Sequence, residues 1–274
     1  MVDNDGDGGR RRPGGGTGSG PSGSRRRDGR QQAPRTSGPN RARRAQPNAR
    51  PAHDRSGPVL SADIEARQLS PEVRRELTTL DKNTADFVAR HLVAAGDLLD
   101  DDPEAALEHA RAARERSGRI AAVREAVGIA AYRCGDWGQA LAELRAARRL
   151  GSKSPLLPLI ADSERGLGRP ERAIELARSP EAAQLAGDDA DELRIVVAGA
   201  RSDLGQTDQA LAILSTPQLD PTRTGLTATR LFYAYAETLL ALHRKDEALQ
   251  WFINAAAADI ESVTDAEERI TELS

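Results

Sequence analysis

Four histidines and one cysteine are the residues of this 274-residue chain best suited to metal or nucleophilic chemistry, and their spacing favours neither. His53, His91, His109 and His243 are scattered, with no pair at the i,i+4 spacing of a helical metal site. His91 and His109 fall on the two helices of one predicted hairpin and can approach each other, but zinc needs further ligands and none stands out. Cys134, near the end of a predicted helix, reads as a small buried hydrophobe. As the only cysteine, it excludes an internal disulfide and gives no sign of an oxidising compartment. The acidic run Asp100 to Glu104 lacks the spaced ligands and central glycine of a calcium loop. Acidic residues before Pro103 fit better as the N-cap and dipole partners of a helix start, and the stretch Gly187 to Glu192 has the same explanation. Gly18 to Gly23 matches the glycine spacing of a dinucleotide fingerprint, but no strand precedes it and no helix follows. With no phosphate loop and no nucleophile elbow, the expectation is a protein that is not an enzyme and holds no cofactor or metal.

The charge balance separates two regions. Residues 1–58 carry 13 Arg and 5 Asp, a net of +8, so the remainder carries −11 to give the overall −3. That first stretch has 12 Gly, 7 Pro and no Phe, Trp or Tyr. It cannot bury enough apolar surface to offset a backbone ordering cost of about 1–2 kcal/mol per residue, and is expected to be a disordered tail. Its clusters Arg10, Arg11 and Arg12; Arg25, Arg26 and Arg27; and Arg41, Arg43 and Arg44 make a polycation suited to phosphate backbones. No aromatics are interleaved to stack on bases, so any nucleic-acid binding is expected to be non-specific and salt-dependent. The alternative is a solubilising tail without a dedicated ligand. No apolar run reaches the roughly 20 residues of a membrane span, and none follows the basic start as a secretory signal would require. A cytoplasmic protein without membrane contact is expected, and the excess of Arg over Lys, with abundant Ala and Gly, suggests a GC-rich bacterial genome of actinobacterial type.

Beyond the tail, one doublet recurs: Ala106 and Leu107, Ala140 and Leu141, Ala173 and Ile174, Ala210 and Leu211, Ala248 and Leu249. Periods near 34 residues mark helix-turn-helix arrays. With each alanine as register, the residue twelve earlier is always small (Ala94, Gly128, Ala161, Ala198, Ala236). The residue five earlier is Asp101, Gly135, Gly168, Gly205 or His243, placing glycine in three of five turns. Seven later stand Ala113, Ala147, Pro180, Pro217 and Ala255, and the prolines predict that the third and fourth second helices stop early.

This pattern resembles the tetratricopeptide repeat, most closely in the second unit: Val127, Gly128, Gly135, Trp137, Ala140, Leu141, Leu144 and Ala147. The resemblance implies an all-α fold, a right-handed α-solenoid of about five hairpins with short capping helices. Boundaries are expected at 1–58 for the tail, 59–81 for a linker and leading helix, 82–258 for the repeats and 259–274 for a C-terminal capping helix. Ser70 and Pro71 should open the leading helix over about 71–79, and Thr264 with Glu267 reads as a capping box for the last helix. Short residues are needed where antiparallel helices cross at about 8–10 Å, and Gly128 with Ala140 should provide such a crossing.

The resemblance also implies that the first helix of each hairpin lines a concave groove. The register then assigns groove positions: His91 and Leu98; Glu125, Ile129, Tyr132 and Arg133; Asp162 and Arg165; Glu192, Ile195 and Asp203; Arg230, Tyr233 and Glu237. Aromatic anchors beside charges of both signs suit an extended peptide or partner helix; the alternative for many of them is a solvent-facing or core role. The positions that grip chaperone tails in some relatives hold His91, Ala95, Ala126 and Pro158, so that clamp is missing. Two functions follow: a protein-interaction scaffold with an unidentified protein or peptide partner, and an RNA- or ribosome-associated protein using the Arg-rich tail. The acidic body favours the first.

Overall fold

The structure, a computed structural model, describes residues 57–274; the Arg clusters of the expected tail lie outside them. Among the described residues there are twelve α-helices and no strand. Helix α1 (Pro71–Glu76) leads, followed by five hairpins. These are α2 (Lys82–Asp97) with α3 (Pro103–Ser117), α4 (Ala121–Arg133) with α5 (Trp137–Arg149), and α6 (Leu157–Gly166) with α7 (Pro170–Leu176). Then come α8 (Gly187–Asp203) with α9 (Thr207–Leu214), α10 (Leu226–Ala241) with α11 (Lys245–Ala258), and the final helix α12 (Ala266–Leu273).

The repeated residues hold this stack together. All five doublet alanines are fully buried, as are most of the small residues twelve positions earlier. At Gly128 an added Cβ would stand 2.7 Å from the side chain of Leu144 and 3.1 Å from its backbone nitrogen. At this crossing Gly128 therefore meets Leu144, one turn beyond the expected Ala140. Four of the five turns are alike: Gly135, Gly168, Gly205 and His243 have φ of 71°, 71°, 70° and 61°. In each, the next N–H reaches back to the carbonyl five residues earlier, as in Asp136 to Ala131 and Arg244 to Leu239. This is a Schellman ending, which requires the left-handed conformation glycine adopts without strain. The first hairpin has Asp101 at this register and a longer connection, closed by the Asp102 side chain accepting from the Ala105 N–H at 3.0 Å.

The prolines act as expected. Helices α7 and α9 end at Leu176 and Leu214, before Pro180 and Pro217, while α3, α5 and α11 run 13 to 15 residues. Arg194 covers the early end of α9 by donating to the carbonyls of Leu214 and Pro217.

The ends differ in detail from expectation. Ser70 caps α1, accepting from the Val73 N–H, but the α-helix tightens into a 3-10 turn at Leu77–Thr79. The capping box at Thr264 does not form. Asp259 captures that residue first, accepting from its backbone N–H at 2.8 Å and its hydroxyl at 2.7 Å, and Asp265 becomes the cap position of α12.

First helices pack on the next first helix (α2 on α4, α4 on α6, α6 on α8, α8 on α10). Second helices instead pack on the next first helix (α3 on α4, α5 on α6, α7 on α8, α9 on α10), and no two second helices are in comparable contact. Successive hairpins thus approach more closely on the first-helix side, which makes it the inner face of the stack.

Candidate interaction face

Register alone brings several predicted groove residues into direct contact. The Tyr132 hydroxyl on α4 donates to Asp162 on α6. Arg165, one turn further along α6, pairs with Asp162 at 3.1 Å and with Asp203 on α8 at 2.6 Å. Glu192 on α8 pairs with Arg230 on α10 at 2.8 Å, and Glu237 on α10 with Arg269 on α12 at 2.8 Å. One polar ladder thus runs over successive first helices, joining neighbouring hairpins and ending on the final helix α12.

Electrostatics follow this geometry. Burial, then the bond to Asp162, push the Tyr132 phenol above its ordinary range, so it stays a donor. Burial works against the Arg165 charge, but Asp203 and Asp162 outweigh it and the guanidinium is held above its usual value. Burial raises the Glu192 carboxyl, opposed by Arg230.

Other predicted positions have different roles. His91 is wholly buried and does not face the groove; its Nδ1 lies 2.9 Å from Nδ1 of His109 inside the first hairpin. The His91 ring is covered by Phe87, with ring centroids 4.3 Å apart, and by His109 from the partner helix of the same hairpin. Leu98 ends α2 and packs on the core shared by the first two hairpins, and Ile195 packs in the seam between the fourth and fifth. Tyr233 stacks edge-on against Phe252 at 5.4 Å, and Arg133 is exposed and paired with Asp100 at 2.7 Å. Both carboxylate oxygens of Glu125 are taken by hydroxyls, Ser152 at 2.7 Å and Ser154 at 2.6 Å. Glu125 therefore fastens the 150–154 connection rather than awaiting a ligand.

That connection forms one wall of a cleft of 1030 Å³ on the inner face. Helix α1 forms the opposite wall, fixed by Glu76, whose carboxylate accepts from the Ala122 N–H at 3.0 Å and so caps α4 from outside. The floor is apolar, with Leu92, Ala95, Ala122, Ala126 and Ile129, and Leu150 stands 45% exposed at the rim. Lys153 and Arg119 line the same cleft without an ion pair among the described residues. The resemblance marks Ala95 and Ala126 only as clamp positions without a clamp; a cleft there depends on where α1 docks, for which no repeat gives a register.

Three buried carboxylates lie outside the predicted set. Glu143 joins Arg114 and Arg124 (2.7 Å) across the first two hairpins, Glu164 holds Arg145 (2.5 Å) and Arg169, and Asp191 binds Arg194 and Arg223. A signal existed for Glu143, which falls between Leu141 and Leu144 on a face those residues mark as buried. The Cys134 thiol is half-buried and raised by burial, which disfavours a nucleophile. Among the described residues no group of three or more His, Cys, Asp or Glu side chains could hold a metal, and no helix is long and apolar enough to cross a membrane.

Comparison with protein families finds no match, and neither does comparison with curated proteins. Among solved structures, the chain is similar to YrrB, a TPR protein with an unusual peptide-binding site. There the identity is 19% and the TM-score 0.43, covering 72% of this chain and 97% of that one. It is also similar to pilF of Pseudomonas aeruginosa, at 13% identity and a TM-score of 0.46, covering 70% of this chain and 90% of that one.

Proposed function

We propose that the chain is a non-enzymatic interaction scaffold that seats an extended segment or short helix of a partner protein in the inner-face cleft between α1, α2, α4 and residues 150–154. The observation that carries this reading is the cleft's apolar floor with Leu150 exposed at its rim. Most charges elsewhere on the inner face already satisfy one another across the ladder, so they offer a ligand little beyond what water offers. Apolar contact in the cleft supplies affinity instead, and Lys153 and Arg119 provide cations for a carboxylate of the bound segment. The test is retention of partners from the native extract by the full chain, with and without nuclease, beside the cleft variants Leu150→Glu and Lys153→Glu. Protein retained regardless of nuclease, and lost with both variants, supports the reading. Nucleic-acid cargo retained equally by wild type and variants, and lost with nuclease, overturns it in favour of the Arg-rich segment.

A further inference from the structure

The early end of α7 leaves a notch on the outer side of the third hairpin. Helix α7 spans only Pro170–Leu176, against Trp137–Arg149 for the preceding second helix, and the chain then turns off through Ser179 and Pro180. The resulting pocket of 800 Å³ lies away from the inner face. Four guanidiniums line it, those of Arg145, Arg169, Arg172 and Arg178, with two carboxylates, Glu164 and Glu175.

The two acids do not exhaust the four bases. Buried Glu164 takes one nitrogen of Arg145 at 2.5 Å and one of Arg169 at 3.4 Å, and Glu175 takes one of Arg172 at 2.7 Å. Arg178 has no ion pair among the described residues. Each guanidinium carries five N–H donors, so most donors in the notch remain open. The Ser179 hydroxyl accepts from the Ala182 N–H at 3.2 Å, leaving its own proton to donate into the same pocket. The lining charge is +2, while residues 59–274 sum to −11. This local excess of arginine runs against the charge of the whole body, and planar forks are the side chains that match tetrahedral oxyanions.

We propose that this notch is a binding site for a phosphate-class dianion, with Arg145 and Arg169 positioned by buried Glu164 and Arg172 and Arg178 supplying the outer contacts. The anion would be inorganic phosphate or a phosphate monoester. The test is a titration of the full chain with sodium phosphate at pH 8 and constant ionic strength, followed by backbone amide NMR, with chloride as the matched control. Saturable shifts confined to the region of 145 and 169–179 are expected, weakened by about tenfold or more in the Arg172→Gln, Arg178→Gln double variant. Both arginines are exposed, so that variant should fold. A phosphoserine peptide that binds more tightly than inorganic phosphate would assign the site to a phosphorylated partner; equal affinity would assign it to free phosphate. Shifts no larger than with chloride, or binding unchanged in the double variant because it lies in the N-terminal arginines, would overturn the proposal.

Discussion

The guanidinium of Arg165 crosses helix α8 at Gly199. A Cβ at Gly199 would stand 2.9 Å from Cζ and 3.1 Å from Nε and Nη1 of that arginine. The missing side chain is what allows Arg165 to lie against α8 and reach Asp203, closing the ladder between the third and fourth hairpins. Trp137 uses Gly166 in the same way, since a Cβ there would meet the indole at 2.5 Å.

Gly199 and Gly128 should differ in their response to alanine. At Gly199 the obstructing atoms are the tip of a flexible chain, so Gly199→Ala displaces Arg165 and loses a partly exposed ion pair. That loss, about 0.2–1 kcal/mol, is offset by the helix propensity alanine gains, about 0.5–1 kcal/mol. At Gly128 the obstruction includes the Leu144 backbone, and Gly128→Ala should cost about 1–3 kcal/mol. Denaturant titrations should therefore rank Gly128→Ala as far more damaging than Gly199→Ala; equal effects would contradict the packing described.

His243 occupies the turn register that three other hairpins give to glycine, at φ 61°. A side chain in that conformation costs roughly 1–2 kcal/mol. His243→Gly should raise the thermal midpoint, while Gly205→Ala, at φ 70°, should lower it.

The buried His91 and His109 pair makes stability depend on pH. Burial, then the charge of His109 and of Arg90 and Arg116, hold the His91 imidazole down to about 4, and burial lowers His109 as well. The unfolded chain takes up protons near pH 6.5, whereas the folded pair resists. Stability is therefore complete above about pH 6.5 and falls as pH drops toward 4, by roughly 3 kcal/mol at most for His91. Urea midpoints measured from pH 7.5 to 4.5 should decline, and the double variant His91→Leu, His109→Leu should flatten that decline. An unchanged slope would place the titrating groups elsewhere.

Glu143, buried between two arginines, should be far costlier to remove than an exposed carboxylate such as Glu175. Glu143→Gln leaves Arg114 and Arg124 facing a neutral amide in a nearly buried site, at a cost of about 1–3 kcal/mol. Thermal unfolding of that variant beside Glu175→Gln, whose partner pair is exposed, checks this; equal midpoints would contradict it.

Repetition explains which features could be read from the residues alone. Each hairpin faces the same packing problem, so Ala106, Ala140, Ala173, Ala210 and Ala248 report one buried crossing five times. The ladder was accessible by the same logic, because Tyr132 and Arg165, and likewise Glu192 and Arg230, hold equivalent positions on successive first helices. What occurs once has no register to betray it. The docking of α1 through Glu76, the capture of Thr264 by Asp259, and the notch beyond α7 each depend on a contact between segments that do not repeat. His91 shows the converse hazard: a position that faces outward in the shared frame is buried here by its pairing with His109.

The central claim is that the inner-face cleft holds the partner, and backbone amide hydrogen exchange of the full chain, alone and with its retained partner, tests it most directly. Protection concentrated in residues 69–76, 119–129 and 150–154 is the predicted result. Protection confined to the second helices α3, α5 and α11, with the cleft exchanging as in the free chain, would contradict it.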